Sequence, residues 1–587
     1  MAGVEIALAV APVAFEAAIA AWKVLDDTLS FEDDAQDLVL RLERAKGLLT
    51  IWASQSGLAE GTLLPALLPI EEIIARTLAR VSGLISDLQQ DGKKYGLATG
   101  DAQGAERRTT ATTVMQMRRS LHAMVQTPRA NSALARLLDD EASKQSFTRP
   151  DKVGLAPRVY WALRDRKKFV LVVEMLEKHV DGLVHLLHQT QMRDMQQQLT
   201  RLDLQVVQQL SDAGALSQLQ ALSRRQPDVS DMDVASLAEW KVLTLEGVSS
   251  PGRPPSEVED WGLRLGRTDR AVRSRSRFVR KGQADPDMLY LFEKKVYDAN
   301  ISDTDKDVLQ ERIRNLVALL GGPGARRQLH TLKAVGYVDD PELHCWWIIF
   351  RFPIATGVPE DLDKLEPLSL NKLFASSRKP ALETRYKLAR RLTQTFSRLY
   401  GSAWMHKSVN SGNIIFPHLL SAETLNAFTA INTALVQGFG YSRQHTEAQT
   451  IDRGRVNNDL EAAIYRHPNY QGETASGYQL HYDIYSLGLV LFEIALWQPL
   501  MAMLAVKPLP GREPPVKLSP DMEDFHEVEA RELKRRVDMR VEAELAYRMG
   551  TRYKVAVQWC LNLSGSVTAT EFYDKVAVPV EELSSSG

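Results

Sequence analysis

Apolar residues return every three or four positions through the first two hundred residues, and that period predicts helices. Val4 to Ala21 is apolar except for Glu5 and Glu16, and it runs into Trp22. Glu5, Glu16 and Asp27 are eleven positions apart, which puts them on one narrow line of a helix, with Pro12 close to it. The segment therefore predicts a helix with an acidic stripe and a broad apolar surface. Leu38, Leu42, Ala45, Leu49 and Trp52 form a second stripe. Pro65 to Gln90 carries a third through Ile70, Ile73, Ile74, Leu78, Val81 and Leu88, with Gly92 as its expected stop. Residues 99–113, rich in Thr, Ala, Gly and charge, predict a loop. Arg158 to Gln198 is again helical in period, with a charged start and an apolar body. The Gln-rich stretch 190–224 predicts a connecting helix or a short coiled coil, with a solvated spacer favoured.

Beyond about residue 225 the pattern changes. Met288 to Tyr297 alternates well enough for a strand, and Leu332 to Val338 and Cys345 to Phe352 predict two more. Pro353 follows the last of these as a hinge would. A long helix is expected over Leu382 to Tyr400, with Tyr386, Leu388, Ala389, Leu392, Phe396 and Leu399 at helical steps.

Composition narrows the class. At 587 residues the chain exceeds a single core, and length suggests roughly three or four domains. The net charge of −2 gives no global pull toward nucleic acid or membrane. Two cysteines, Cys345 and Cys560, exclude a disulfide framework and leave no metal-ligand spacing. No stretch reaches the roughly 20 nearly uncharged apolar residues of a confident membrane span. No basic region precedes the first apolar run, and Ala2 is not the glycine of a myristoylation signal. A cytoplasmic protein is the expectation. The one local concentration of charge runs from Arg264 to Lys281, through Arg267, Arg270, Arg273, Arg275, Arg277 and Arg280, with Ser274 and Ser276 between them. A solvated loop is the plain reading; a phosphosite or an anionic-lipid contact are the functional ones. Nucleic acid is not expected, because no binding motif accompanies the run.

Candidate chemistry concentrates at 404–413, Trp-Met-His-Lys-Ser-Val-Asn-Ser-Gly-Asn. The string resembles the catalytic loop of the protein kinases, His-Arg-Asp-Leu-Lys-Pro-x-Asn. His406 and Asn413 match, while Ser408 stands at the catalytic Asp and Asn410 at the loop Lys. Gly438-Phe439-Gly440 stands where the family has Asp-Phe-Gly, whose Asp holds the metal. Tyr465-Arg466-His467-Pro468 resembles the end of an activation segment. Asp483 to Gly488 resembles the start of the large C-lobe helix, whose Asp braces the catalytic loop in the family. The resemblance makes Lys295 the strand lysine for a nucleotide and Glu311 its helical ion-pair partner, with a surface Lys and a surface Glu as the ordinary alternatives. Asn413 remains as a weak metal ligand, for ATP with Mg or Mn. No Gly-x-Gly-x-x-Gly precedes Lys295, so the phosphate-covering loop is missing as well. A missing base alone costs about 10²- to 10⁴-fold. With the metal Asp and the loop also gone, a catalytically silent kinase fold is expected, with no catalytic residue and with His406, Ser408, Asn410 and Gly438 as the degenerate positions.

The N-terminal region resembles the HeLo domain of fungal incompatibility and prion-inhibition proteins. The likeness rests on the Ala-rich start into Phe15-Glu16-Ala17, on Lys94-Tyr95-Gly96-Leu97, and on the string Arg158-Val-Tyr-Trp-Ala-Leu-Arg-Asp-Arg-Lys-Lys-Phe169. The resemblance implies a helical bundle whose first helix enters and permeabilises a membrane when a C-terminal region is triggered. Here Glu5, Ala9, Pro12, Phe15 and Glu16 would mark that helix. The residues alone leave two states open. One is a core helix with its acidic stripe to solvent; the other is an inserted helix whose stripe faces a wet lumen in an oligomer. A lone Glu at mid-bilayer would otherwise cost a few kcal/mol, roughly.

Together these resemblances imply a multidomain chain, an all-α bundle followed by an α+β bilobal kinase-like fold. The expected bounds are a bundle with connecting helix over 1–225, a linker and ill-defined start over 226–285, an N-lobe over 286–355, a C-lobe over 356–580 and a tail over 581–587. The arrangement parallels the mixed-lineage-kinase-domain-like architecture, a membrane-active bundle held in check by a dead kinase fold. Self-association, anionic lipids on activation and an upstream activating protein are the partners implied, with relocation from cytoplasm to membrane. An unconventional protein kinase and a non-catalytic scaffold are the alternatives.

Overall fold

The computed structural model describes residues 11–22, 36–94, 166–223, 233–246, 276–280, 289–353, 362–420, 428–444, 459–471, 477–506 and 516–585, apart from single positions within them. Two compact units divide at Ala238 and Glu239.

The N-terminal unit is helical. Its first helix, α1, has its described positions between 11 and 22, and Ala11, Phe15, Ala18 and Trp22 are all buried on it. Their steps of four, three and four residues make one apolar stripe. Helix α2 (Gln36–Ser56) buries the stripe Leu38, Leu42, Ala45, Leu49 and Trp52. It stops at Gly57, whose φ of 84° is the left-handed value that glycine adopts without strain. Helix α3 (Glu71–Lys94) follows a short 3₁₀ turn, Leu68–Ile70. The helix predicted from Pro65 thus begins later, since Pro65 and Pro69 offer no N–H to a continuing ladder. It also runs past Gly92, which does not end it. The Ala11 N–H donates to Glu71 Oε1 at 3.3 Å and Ser82 Oγ donates to the Ala17 carbonyl at 3.4 Å, so α1 lies against α3.

The single helical run predicted over 158–198 is two helices, α4 (Arg166–Val184) and α5 (Gln189–Gln209). Between them the backbone tightens to i→i+3 bonds, Leu186 to Leu183 and Leu187 to Val184. Arg41 of α2 donates to both oxygens of Glu177 on α4, at 2.9 and 2.6 Å. The Gln-rich stretch is not a solvated spacer. Met195, Leu204, Val206 and Val207 of α5, and Ala215, Leu216 and Leu219 of α6 (Ala213–Ser223), are buried, and α2 packs on both helices. Abundant Gln masked a leucine and valine face that is complete without it. Helix α7 (Val234–Glu246) falls in the span expected as linker, and the division between the units lies within it.

The C-terminal unit combines antiparallel sheets with helices. Strands β1 (Ser276–Arg280), β2 (Leu289–Val296), β3 (Lys333–Asp340) and β4 (Cys345–Phe352) form one sheet in the order β1-β2-β4-β3. Helix α8 (Asp303–Gly321) joins β2 to β3 and packs on β3. Arg277 and Arg280 of the arginine run belong to β1, while 264–275 and Lys281 lie outside the described residues. Both cysteines are free and buried, which raises their thiol pKa values and leaves them inert.

After β5 (Pro367–Ser369) the unit is mainly helical. Helix α9 (Leu382–Gly401) leads into β6 (Trp404–Met405), and the short strands β7 (Ile414–Leu419), β8 (Leu435–Val436) and β9 (Arg443–Gln444) follow. Strands β5, β7 and β8 make one small sheet, and β6 and β9 another. Helix α10 (Leu480–Leu496) is buried along its whole length, the signature of a central helix. Gly488 permits its closest approach to α11 (Ala546–Asn562): a Cβ there would stand 2.6 Å from Cys560 Cβ.

Candidate functional site

The loop after α9 turns sharply twice. Ala403 and Lys407 both hold positive φ, 63° and 65°, a conformation that costs a side-chain-bearing residue roughly 1–3 kcal/mol. Asp483, in the first turn of α10, supports it. Its Oδ2 accepts the His406 N–H at 2.5 Å, and its Oδ1 accepts the Lys407 N–H at 2.7 Å and the Tyr478 hydroxyl at 2.6 Å. Asp483 is fully buried. Burial pushes its carboxyl pKa up, and the hydroxyl and the two amides oppose that shift. Lys407 Nζ lies over the Tyr478 ring at 4.5 Å.

His406 is a neutral anchor. Burial lowers its pKa to about 4. Its Nε2 bonds the Gln437 carbonyl at 3.0 Å while its Nδ1 accepts the Ser408 N–H at 3.3 Å, which assigns the proton to Nε2. The ring meets Phe439 edge-on at 4.6 Å.

Ser408, Asn410, Asn413 and Gly438, singled out in the sequence, are brought together and engage one another. Asn413 Nδ2 donates to the Ser408 carbonyl at 2.7 Å and to Ser408 Oγ at 3.0 Å. Asn410 caps the following turn, accepting the Asn413 N–H at 3.0 Å and donating to the Ser408 carbonyl at 3.0 Å. Gly438 has φ +88°, and a Cβ built there would fall 2.2 Å from Asn413 Nδ2 and 2.4 Å from its Cγ. The Asn413 amide therefore occupies the space that any side chain at 438 would need.

From the sheet, the side chain that reaches this segment is Glu293 of β2. Its Oε2 accepts from Gln437 Nε2 at 2.6 Å and from the Gly438 N–H at 3.2 Å, and its Oε1 accepts the Gly440 N–H at 2.8 Å. Burial raises its carboxyl pKa, and these three bonds counter the rise. Glu293 is not among the residues singled out from the sequence. The available signal was an acidic residue two positions before Lys295 and in phase with Leu289 and Leu291, on the inward face of the strand. Lys295 is itself buried, with its Cβ 3.7 Å from where a Cβ on Gly440 would stand. Glu311 does not serve as its partner. Its carboxylate is engaged by Arg314 of the same helix at 2.9 Å, and both side chains are substantially exposed. An i,i+3 pair on the outer face of α8 replaces the strand-to-helix pair, because alternation and helical period alone do not say which way Glu311 points.

A second buried carboxylate ties the loop to the helical part of the unit. Glu493 Oε1 accepts the Tyr465 hydroxyl at 2.6 Å, Ser411 Oγ at 3.2 Å and the Leu500 N–H at 2.6 Å. Burial pushes its pKa up to about 8. Pro468 is buried at the start of a short 3₁₀ turn, just beyond Tyr465. Of the residues expected to mark a membrane-active helix, Phe15 is buried and Pro12 half-buried on α1, while Glu5, Ala9 and Glu16 lie outside the described residues.

A nucleotide with a divalent metal does not fit these residues. Position 438 has no room for a carboxylate, and the nearby Glu293 carboxylate is spent on the Gln437 side chain and the Gly438 and Gly440 amides. Asn413 turns its amide nitrogen to Ser408. Among the described residues no group of three or more His, Cys, Asp or Glu could hold a metal ion.

A model of the HeLo family, described as prion-inhibition and propagation, matches residues 3–219. No curated protein matches the chain. A solved structure of titin kinase and its flanking domains aligns at 13% identity with a TM-score of 0.29, over 49% of this chain and 41% of that one. The chain thus covers less than half of that protein's length, and a likeness at this score carries no argument about fold.

Proposed function

We propose that this chain is a signalling protein of the fungal cell-death or incompatibility type, in which a C-terminal kinase-like unit without phosphoryl transfer controls an N-terminal HeLo-like helical unit. The HeLo match over 3–219 supports the first part. The observation that carries the second is the way the loop residues close on one another. Asn413 lies where a side chain at 438 would be, Ser408 is bonded to Asn413, and Glu293 stands on the amides of Gly438 and Gly440. With no carboxylate at 408 or 438 and with Asn413 in the space at 438, such a unit is suited to adopting different conformations rather than to moving phosphate. In the active state α1 leaves α3, the chain self-associates and the apolar N-terminal segment enters a membrane. Among the described residues no helix is long and apolar enough to cross a membrane, so the reading assigns insertion to the segment Val4–Ala21, part of which lies outside them.

Two measurements test this. Full-length protein is assayed for transfer of labelled phosphate from ATP with Mg or Mn, alongside Gly438→Asp. Neither is expected to transfer, because an aspartate at 438 collides with Asn413. Transfer by the unaltered chain at ordinary enzymatic rates overturns the reading of the C-terminal unit. The full chain and a chain lacking residues 1–21 are then compared for leakage of anionic liposomes. Equal leakage from both overturns the membrane step.

A further inference from the structure

Glu293 is unlike the other buried carboxylates of the C-terminal unit. Asp483 and Glu493 lie on α10, and Glu532 is paired with arginines of its own helix, Glu527–Arg540. Glu293 instead reaches from the sheet to a loop more than 140 positions later. All three of its partners are neutral donors converging from that loop: the Gln437 side chain and the amides of Gly438 and Gly440. A carboxylate without its proton is an acceptor only, so it suits such a set of N–H groups as a bound anion would. The loop is shaped to admit it. Gly438 takes a backbone angle that glycine alone adopts freely, and a Cβ on Gly440 would press to 3.3 Å from Glu293 Oε1. On the same buried face of β2 Glu293 stands between Leu291 and Lys295, and its carboxylate oxygens turn to the loop donors.

We propose that Glu293 is an internal latch, its carboxylate occupying the Gly438 and Gly440 amides as a resident anion and holding the 437–440 loop in one arrangement with no ligand bound. The consequence for signalling rests on the kinase-like reading above; the latch itself rests on the contacts alone. It predicts that the loop is freed by removing this one side chain, and that the vacated amides then accept an anion from solution.

The test uses the full-length protein, Glu293→Ala and Glu293→Gln, with inorganic pyrophosphate as the probe. Amide exchange at Gly438 and Gly440 is expected to quicken by about tenfold or more in Glu293→Ala. Pyrophosphate is expected to raise the unfolding temperature of Glu293→Ala while leaving the unaltered chain unmoved. Glu293→Gln keeps the volume but sets an amide N–H against a donor, so it too should exchange faster, without gaining pyrophosphate binding. Should Glu293→Ala fail to fold, exchange in Glu293→Gln decides the matter. Unchanged exchange in the variants, or equal stabilisation of the unaltered chain by pyrophosphate, overturns the latch. A latch that fails in this way leaves the phosphate-transfer assay blank, whereas failure of the kinase-like reading shows as transfer by the unaltered chain.

Discussion

Helix α1 in the N-terminal unit and the 404–413 loop in the C-terminal unit are each short segments on which the proposed function turns, and they are held by different forces. Ala11, Phe15, Ala18 and Trp22 hold α1 by apolar burial, with two long hydrogen bonds at 3.3 and 3.4 Å beside them. Burial of this kind is non-directional, and another apolar medium can replace it. The loop is held by two buried carboxylates, Asp483 accepting the His406 and Lys407 amides and Glu493 accepting the Ser411 hydroxyl, while a third, Glu293, holds the facing 437–440 segment. Such bonds are directional, and a buried donor left without its acceptor is costly. The first kind of hold can be exchanged for another apolar surface, while the second fixes one geometry.

The sharpest way to break this contrast is Asp483→Ala. It strands two amides and a hydroxyl and removes the support for Lys407, so a loss of about 5 kcal/mol is expected in denaturant unfolding of the C-terminal transition. A loss near that of an ordinary surface change would show that the loop is not held by its carboxylates. Phe15→Ala should cost about 3 kcal/mol in the N-terminal transition. If apolar burial is what retains α1, the same variant should raise liposome leakage in the absence of any trigger.

Glu493 supplies a pH test. Its pKa in the folded chain lies near 8, above its ordinary value of 4.5. A group raised in this way stabilises the fold fully below about 4.5, and loses that contribution as the pH climbs through about 8. Glu493→Gln, which stays neutral, should therefore gain stability relative to the unaltered chain by about 1 kcal/mol per pH unit across that window. Denaturant unfolding at pH 5, 6.5 and 8 measures it, and a constant difference would mean that the carboxyl titrates normally. The smallest effect belongs to Glu311→Ala. An exposed i,i+3 pair contributes less than about 0.5 kcal/mol, so the unfolding midpoint should barely move. A large loss would return Glu311 to the cleft.

Much of the N-terminal unit was legible in its apolar spacing. The stripe from Leu38 to Trp52 is buried as the three- and four-residue steps required. What that spacing concealed were breaks and disguises. The turn at 185–187 interrupts an apolar run that never loses its helical period, and the Gln-rich composition of α5 hid a buried face. In the C-terminal unit the strand over Leu289–Val296 was readable from its alternation, and that over Cys345–Phe352 as a short run of aromatic and β-branched residues, buried at all positions but one. The site was readable only as a set of absences, at Ser408 and Gly438.

Residue identity by itself determined that no carboxylate stands at 408 or 438, and that the first helix carries one apolar stripe, because composition and period are properties of the chain alone. Only the tertiary structure decided what fills those vacancies. Glu293 meets Gly438 and Gly440, Asn413 takes the space at 438, and Glu311 turns outward to Arg314. The physical reason is that a hydrogen bond between residues more than a hundred positions apart depends on the direction each side chain takes in the packed fold, and neither alternation nor helical spacing encodes that direction.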